Sequence, residues 1–235
     1  MNTSGLDTSR LGSIVIAIDG PAASGKTTTA RNLAGVLGLT YIDTGAMYRS
    51  VTLYVLRHGI DPENAEAVAQ AARSIDIAFK NIAGDNHTIL NGEDVSVDIR
   101  SPEVTALVST IAAHKEVRLA MVNHQIELGG RGGVVAEGRD TTTVVFPDAD
   151  VKVFLTASVD ERARRRLLDM QRLGIETSLE QQIEDINRRD HADSTRQHSP
   201  LRKADDAVEI DTTHLTVDQE IERIIDLVRA AISAR

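Results

Sequence analysis

The chain of 235 residues contains no cysteine, which excludes disulfide cross-links and thiolate metal sites. It also lacks any apolar run near the roughly 20 residues that a membrane-spanning helix requires. The opening stretch, MNTSGLDTSRLGS, has no charged-then-apolar export pattern and reads as a small, polar tail over residues 1–12. Cytoplasm is therefore the expected compartment. A basic excess is missing as well: 26 Lys and Arg against 35 Asp and Glu leave a net charge of −9. Proteins that hold nucleic-acid polymers present broad basic surfaces, so neither a polymer nor a membrane is an expected partner. A small anion needs only a local group of cations, and that class of ligand stays open. No internal repeat or low-complexity segment is present, and Pro147 and Pro200 fall between periodic segments. The length suits one large domain with an insert, and a monomer is the expected state.

What is present begins with GPAASGKTTT at 20–29. The spacing Gly20-x-x-x-x-Gly25-Lys26-Thr27 is that of a phosphate-binding loop. Such a loop works only between a strand and a helix, and the flanks supply both. Ile14 to Asp19 is a short apolar run of the kind buried on both faces of a parallel sheet. Ala30, Leu33, Ala34 and Leu37 mark one face of a helix, with Gly38 as its C-cap. Gly20 and Gly25 let the backbone curl and turn N–H groups toward one point. The helix start adds its positive dipole end. Residues 20–28 (Gly20, Pro21, Ala22, Ala23, Ser24, Gly25, Lys26, Thr27 and Thr28) thus form a site for a nucleoside triphosphate. Lys26 reaches toward the outer phosphates and the Thr27 hydroxyl toward Mg²⁺. Asp19 suits either of two roles, a group acting on Mg²⁺ through water or a cap on the strand end.

Further buried strands are predicted at 39–43, 134–137, 151–155 and 207–210, alternating with helices. The fold class is therefore α/β, a five-stranded, parallel, doubly wound sheet. Ile75, Ile77 and Phe79 alternate with polar residues, and Asn91-Gly92 separates two such runs, a strong hairpin signal. Ser101-Pro102 opens a helix, followed by a second at 115–128. This small antiparallel sheet with helices reads as an insert over 74–128. It interrupts a core of 13–73 and 129–235, with a lid near 160–200. Thr216 and Gln219 form a capping box for the last helix.

Arg49 and Arg139 each follow a strand's carboxyl end, where ligands bind in such sheets, and arginine holds phosphate bidentately without losing its charge. Arg162, Arg164, Arg165, Arg166 and Arg172 read as a solvated helix face paired with Asp160, Glu161 and Asp169. Residues 189–196 read as a polar, mobile loop that closes on phosphates and excludes water. A guanine-reading Asn-Lys-x-Asp and a transporter-type Leu-Ser-Gly-Gly-Gln are both absent. A kinase is thereby favoured over a switch GTPase or a motor ATPase.

Four segments in order, GPAASGKTTT, IDTGAMYR (42–49), EGRDTTTVVFPDADVKVFLTAS (137–158) and RRDHADSTR (188–196), resemble bacterial cytidylate kinase over about residues 13–230. The second segment recurs in nucleoside monophosphate kinases at large, whereas the last two are more distinctive. The resemblance implies transfer of a phosphoryl group from ATP, with Mg²⁺, to CMP or dCMP. It implies that Arg49, Arg139 and Arg196 hold the acceptor phosphate, with Lys26, Arg139 and Arg196 as the catalytic cations. It places Ser109, Arg118 and Asp140 at the cytosine edge, and Arg189 and Asp193 near the ribose. Thr44 stands where the family often has serine, and both offer a hydroxyl. The chemistry agrees: a phosphate monoester is largely dianionic at neutral pH, so no general base is required, only cations that align two anions. A kinase for a small alcohol would want such a base, and a nucleotide-sensing switch would lack the acceptor groups.

Overall fold

The computed structural model describes residues 8–82, 85–172 and 174–234. Most of the tail expected over 1–12 lies outside the described residues. Within it, Thr8–Leu11 forms one helical turn, α1, which buries Leu11. The chain divides into two compact units, one of Met1–Thr40 with Arg131–Arg235 and one of Tyr41–Gly130.

The first unit is built on β1 (Val15–Asp19), whose Ile16, Ala17 and Ile18 are fully buried. It runs parallel to β6 (Val134–Gly138) and to β7 (Val151–Thr156), and β7 in turn to β8 (Val208–Asp211). With β2 (Thr40–Asp43) the sheet order is β2-β6-β1-β7-β8, the five-stranded parallel sheet that the sequence predicts. The register sets Asp19 opposite both Gly138 and Phe154. The turns that follow β1 and β6 therefore leave the sheet side by side.

Helix α2 (Lys26–Leu37) buries Ala30, Leu33, Ala34 and Leu37, the face its spacing predicts, and ends on left-handed Gly38. The last helix, α9 (Val217–Ala234), packs on α2 and β7. Its capping box is present: Thr216 N–H donates to Gln219 Oε1 at 2.9 Å and Gln219 N–H to Thr216 Oγ1 at 3.3 Å. Helices α7 (Val159–Arg172) and α8 (Leu179–Thr195) lie against each other. Residues 189–195, read as a loop, continue α8. No glycine or proline interrupts the helix before Pro200, and the Ser194 and Thr195 hydroxyls donate back to the carbonyls of Asp190 and His191, each at 2.7 Å.

The second unit holds α3 (Thr44–Arg57), α4 (Ala65–Ser74), β3 (Ile77–Ile82), β4 (Asp85–Leu90), β5 (Glu93–Asp94), α5 (Pro102–Ala113) and α6 (Lys115–Gly129). It has its own apolar core, with Met47, Val51, Val68, Ile77, Leu90, Ile111 and Met121 among its members. The sequence reading places the insert at 74–128; the compact unit also takes in α3 and α4, which contribute Met47, Val51 and Val68 to that core. The Ser101 side chain accepts from Val104 N–H and so caps α5. Strands β3, β4 and β5 pair antiparallel in that order. Between β4 and β5, Asn91 and Gly92 have φ of 50° and 86°. Two successive positive φ values are the signature of the hairpin turn that Asn-Gly favours.

A side chain at Gly92 would hold a left-handed conformation that costs an L-residue about 1–2 kcal/mol. Gly92→Ala is expected to lower the melting temperature by about 2–8 °C in a thermal denaturation curve. An unchanged curve would contradict the turn described here.

Candidate active site

The turn after β1 is shaped by backbone that few residues can adopt. At Gly20, with φ of 155°, a Cβ would stand 2.0 Å from the Leu155 carbonyl oxygen. Gly25 is the N-cap of α2 in a left-handed conformation, and Ala23 between them also has positive φ, 59°. Alternation of this kind turns backbone N–H groups into an anion-binding concavity at the helix start. Ser24 is buried, Pro21 and Thr27 are half-buried and Thr28 is exposed. Lys26 folds back over the loop: its Nζ donates to the Pro21 carbonyl at 2.7 Å and to Ser24 Oγ at 3.3 Å. Burial first, and then the field of Arg139, push the Lys26 ammonium down to about 7, against the pull of Glu137, Asp19 and Asp193. An ammonium so placed gains the most from an arriving polyanion.

Thr27 Oγ1 donates to Glu137 Oε1 at 2.7 Å. Glu137 is buried at the end of β6, where the strand register brings it beside the loop. A hydroxyl and a carboxylate together make an all-oxygen donor set. That suits a hard cation such as Mg²⁺, which binds through few protein groups and keeps waters and phosphate oxygens in its shell. Among the described residues no group of three or more His, Asp or Glu is arranged to hold a metal, so the pair fits a cation that arrives with the nucleotide.

Beyond β6 the chain carries Arg139 and Asp140, and α8 brings Arg189 and Asp193 alongside, with Arg196 just past its end. Arg139 Nε donates to Asp193 Oδ2 at 2.8 Å. Arg196 Nη1 lies 3.7 Å from Asp193 Oδ1, and its Nη2 lies 3.9 Å from Asp140 Oδ1. Burial works against the Arg139 charge, but Asp193, Glu137 and Asp190 outweigh it and hold the guanidinium above its ordinary value. Burial likewise works to raise the Asp193 carboxyl, yet Arg139, Arg196 and Arg189 hold it below the usual range. The first unit thus gathers Lys26, Arg139, Asp140, Arg189, Asp193 and Arg196 in one place. Arg139 meets Asp193 through Nε, while its Nη1 makes a long bond, 3.4 Å, to the Gly138 carbonyl.

In the second unit, Thr44 and Arg49 lie on α3, Ser109 on α5 and Arg118 on α6, three helices that pack on one another. Asp43 caps α3 by accepting from Ala46 N–H at 2.7 Å, and the same carboxylate accepts from Arg49 Nη2 at 2.9 and 3.1 Å. Buried Arg118 lies over the Tyr48 ring, 5.1 Å from its centroid, and donates to the Ala112 carbonyl at 3.1 Å. Ser109 is half-buried.

Three residues go beyond the sequence reading. Glu137 is one. The others are Arg162 and Asp190, which hold both polar backbone atoms of Ala22 in the loop. Arg162 Nη1 donates to the Ala22 carbonyl at 3.0 Å and to Asp190 Oδ2 at 2.5 Å, while Ala22 N–H donates to Asp190 Oδ1 at 3.2 Å. Arg162 is therefore buried and not on a solvated face. Arg164 and Arg172 follow the solvated pattern, pairing with Glu161 and Asp169, but Arg165 does not: it pairs with Glu161, is half-buried, and donates to the Thr212 hydroxyl at 3.0 Å and the Thr212 carbonyl at 2.7 Å. Nothing in the local sequence separates Arg162 from them. Glu137 had a signal, an acid at a strand's carboxyl end just before Gly138-Arg139.

A parallel sheet with a glycine-shaped phosphate loop after its first strand, and cations gathered at the strands' carboxyl ends, defines a P-loop nucleotide-binding protein of the kinase type. A solved structure of an uncharacterized protein from Eubacterium ventriosum shares this fold, with a TM-score of 0.50 at 13% identity, covering 92% of this chain and 98% of that one. The cytidylate kinase family model matches residues 16–230, and the chain belongs to that family, as its motifs suggest. A cytidylate kinase of Bacillus cereus is 49% identical over 215 residues, 92% of this chain and 96% of the relative. A bifunctional pantoate ligase/cytidylate kinase of Synechococcus is 48% identical over 220 residues, 93% of this chain. The chain spans only 46% of the length of that bifunctional relative.

The close pass of Gly20 under Leu155 is testable. Gly20→Ala forces a backbone shift expected to cost about 2–4 kcal/mol, a fall of about 5–15 °C in melting temperature. A curve superimposable on that of the parent protein would show that the loop takes another path.

Proposed function

We propose that the chain transfers the γ-phosphate of ATP to the phosphate of CMP or dCMP, giving ADP and CDP or dCDP. The observation that carries this reading is the collection of Lys26, Arg139 and Arg196 beside the phosphate loop, interleaved with Asp140, Asp193 and Glu137. Family membership supports it independently. An uncharged acceptor would have no use for so many cations.

In this reading residues 20–28 hold the ATP phosphates. Thr27, with Glu137 in reach, holds Mg²⁺, which when bound neutralises charge on the phosphate oxygens. Lys26 moves from the Pro21 carbonyl to the outer phosphates. Arg49, Arg139 and Arg196 hold the acceptor phosphate, Arg189 and Asp193 the ribose, and Thr44 adds a hydroxyl. Ser109, Arg118 and Asp140 read the base. Cytosine offers an exocyclic amino donor to the Asp140 carboxylate, whereas uracil would present a carbonyl, an unfavourable pairing. The acceptor phosphate is already largely dianionic at pH 7, so an oxygen of it attacks the γ-phosphorus in line and ADP leaves without a general base. The work of the protein is to bring two anions together and to keep water out.

The test is ADP formation from Mg-ATP with CMP, dCMP, UMP, AMP, GMP, shikimate or no acceptor. CMP and dCMP are expected fastest, UMP clearly slower, and the acceptor-free rate close to zero. Equal rates with every acceptor would remove the cytosine assignment, and shikimate as the best substrate would replace the reading altogether. Lys26→Ala is expected to lower kcat by about 10²–10³-fold or more with a far-ultraviolet circular dichroism spectrum like that of the parent. Retained turnover would remove Lys26 from the chemistry.

A further inference from the structure

The fully buried Asp19 carboxylate sits at the end of β1. Its Oδ1 accepts from Thr141 N–H at 2.9 Å and from Thr141 Oγ1 at 2.5 Å. Its Oδ2 accepts from Thr142 N–H at 2.7 Å and from Thr142 Oγ1 at 2.6 Å. An ionised carboxylate offers about four acceptor sites, and here four donors from two adjacent residues take them. Asp19 therefore has no lone pair to offer a metal-bound water. Of the two roles open from sequence, the cap at the strand end is the one the geometry supports.

What it caps is an unusual turn. Residues Thr141–Val145 form a single π-helical turn. The Asp140 carbonyl accepts from Val144 N–H at 2.9 Å and Val145 N–H at 3.2 Å, and the Thr141 carbonyl accepts from Phe146 N–H at 2.8 Å. Wide turns of this kind are rare and concentrate at functional sites. This one begins at Asp140. The Arg139-Asp140 pair is thus strung between the end of β6 and a turn fastened to β1.

We propose that Asp19 is a positioning residue for the choice of acceptor base: by fixing Thr141 and Thr142 it aims the Asp140 carboxylate, and so sets the preference for cytosine over uracil while touching neither nucleotide. The inference rests on the assignment of base reading to Asp140. The two threonines are its instruments. Both are buried, and their hydroxyls are spent on Asp19 rather than on solvent or ligand. Loss of the hydroxyl donors leaves the amides in place but lets the turn rotate about the strand end, and Asp140 moves with it. The phosphate loop has hydrogen bonds of its own: Asp190 and Arg162 hold Ala22, and Lys26 holds the Pro21 carbonyl.

The experiment compares Thr141→Val/Thr142→Val, Thr141→Ser/Thr142→Ser, Asp19→Asn and Asp140→Ala with the parent enzyme. Each is assayed for kcat and KM with CMP and with UMP, and for Mg-ATP affinity by titration with a fluorescent ATP analogue. The valine pair is expected to raise KM for CMP about tenfold and to lower the CMP/UMP ratio of kcat/KM by a similar factor. ATP affinity should stay within about twofold, and the serine pair, which keeps both hydroxyl donors, should restore the ratio. Asp19→Asn sets an amide N–H₂ against those donors and should act in the same direction more strongly. If that variant does not fold, the threonine pairs still decide. An unchanged ratio in the valine pair, with Asp140→Ala lowering it, overturns the positioning role and leaves the base-reading assignment standing. A ratio that Asp140→Ala leaves unchanged overturns that assignment and the inference with it. An equal loss of CMP and ATP binding in the valine pair would mark a merely structural role and overturn the proposal.

Discussion

Lys26 and Arg139 stand within each other's field in a largely buried setting, and the placing of the nearby carboxylates answers that repulsion. In water two such charges would separate. Here the parallel register of β1 and β6 fixes the roots of both turns, so the backbone keeps the two cations in one neighbourhood. Glu137, Asp193 and Asp19 supply the opposing charge, each in a different way. Glu137 accepts the Thr27 hydroxyl and Asp193 pairs directly with Arg139. Asp19 acts through its field, because its oxygens are taken up by the Thr141 and Thr142 donors. The result is a cluster of cations held among carboxylates in an acidic protein.

That balance separates tasks among acids that look alike in a sequence. Asp43 both starts a helix and holds Arg49. Asp193 restrains two arginines at once. An arginine held by one carboxylate has fewer rotamers to lose when a phosphate arrives, and that lowers the entropic cost of binding.

Much of this was legible in the sequence because its determinants are local. The apolar run ending at Asp19, the glycines of the phosphate loop, the Ser101 cap, the Thr216–Gln219 box and the Asn91-Gly92 turn each depend on residues a few positions apart. The carboxyl-end location of Arg139 and Asp140 followed from the same reading. What stayed hidden depends on distant partners. The π-helical turn at 141–145 is held by a carboxylate 122 positions away. Arg162 lies among arginines of similar appearance, and its burial follows from the Ala22 carbonyl 140 positions earlier. The extension of α8 through Thr195 is hidden for a different reason: a polar segment without apolar anchors reads as a loop, although serine and threonine hydroxyls can turn back onto the helix that carries them.

The grip of Arg162 and Asp190 on Ala22 has a mechanical meaning. Both backbone polar atoms of one residue in the phosphate loop, Ala22, are claimed by side chains from α7 and α8. A swing of that helical pair must either break those bonds or drag the loop backbone with it. The loop and the two helices therefore share a single hinge pin at Ala22.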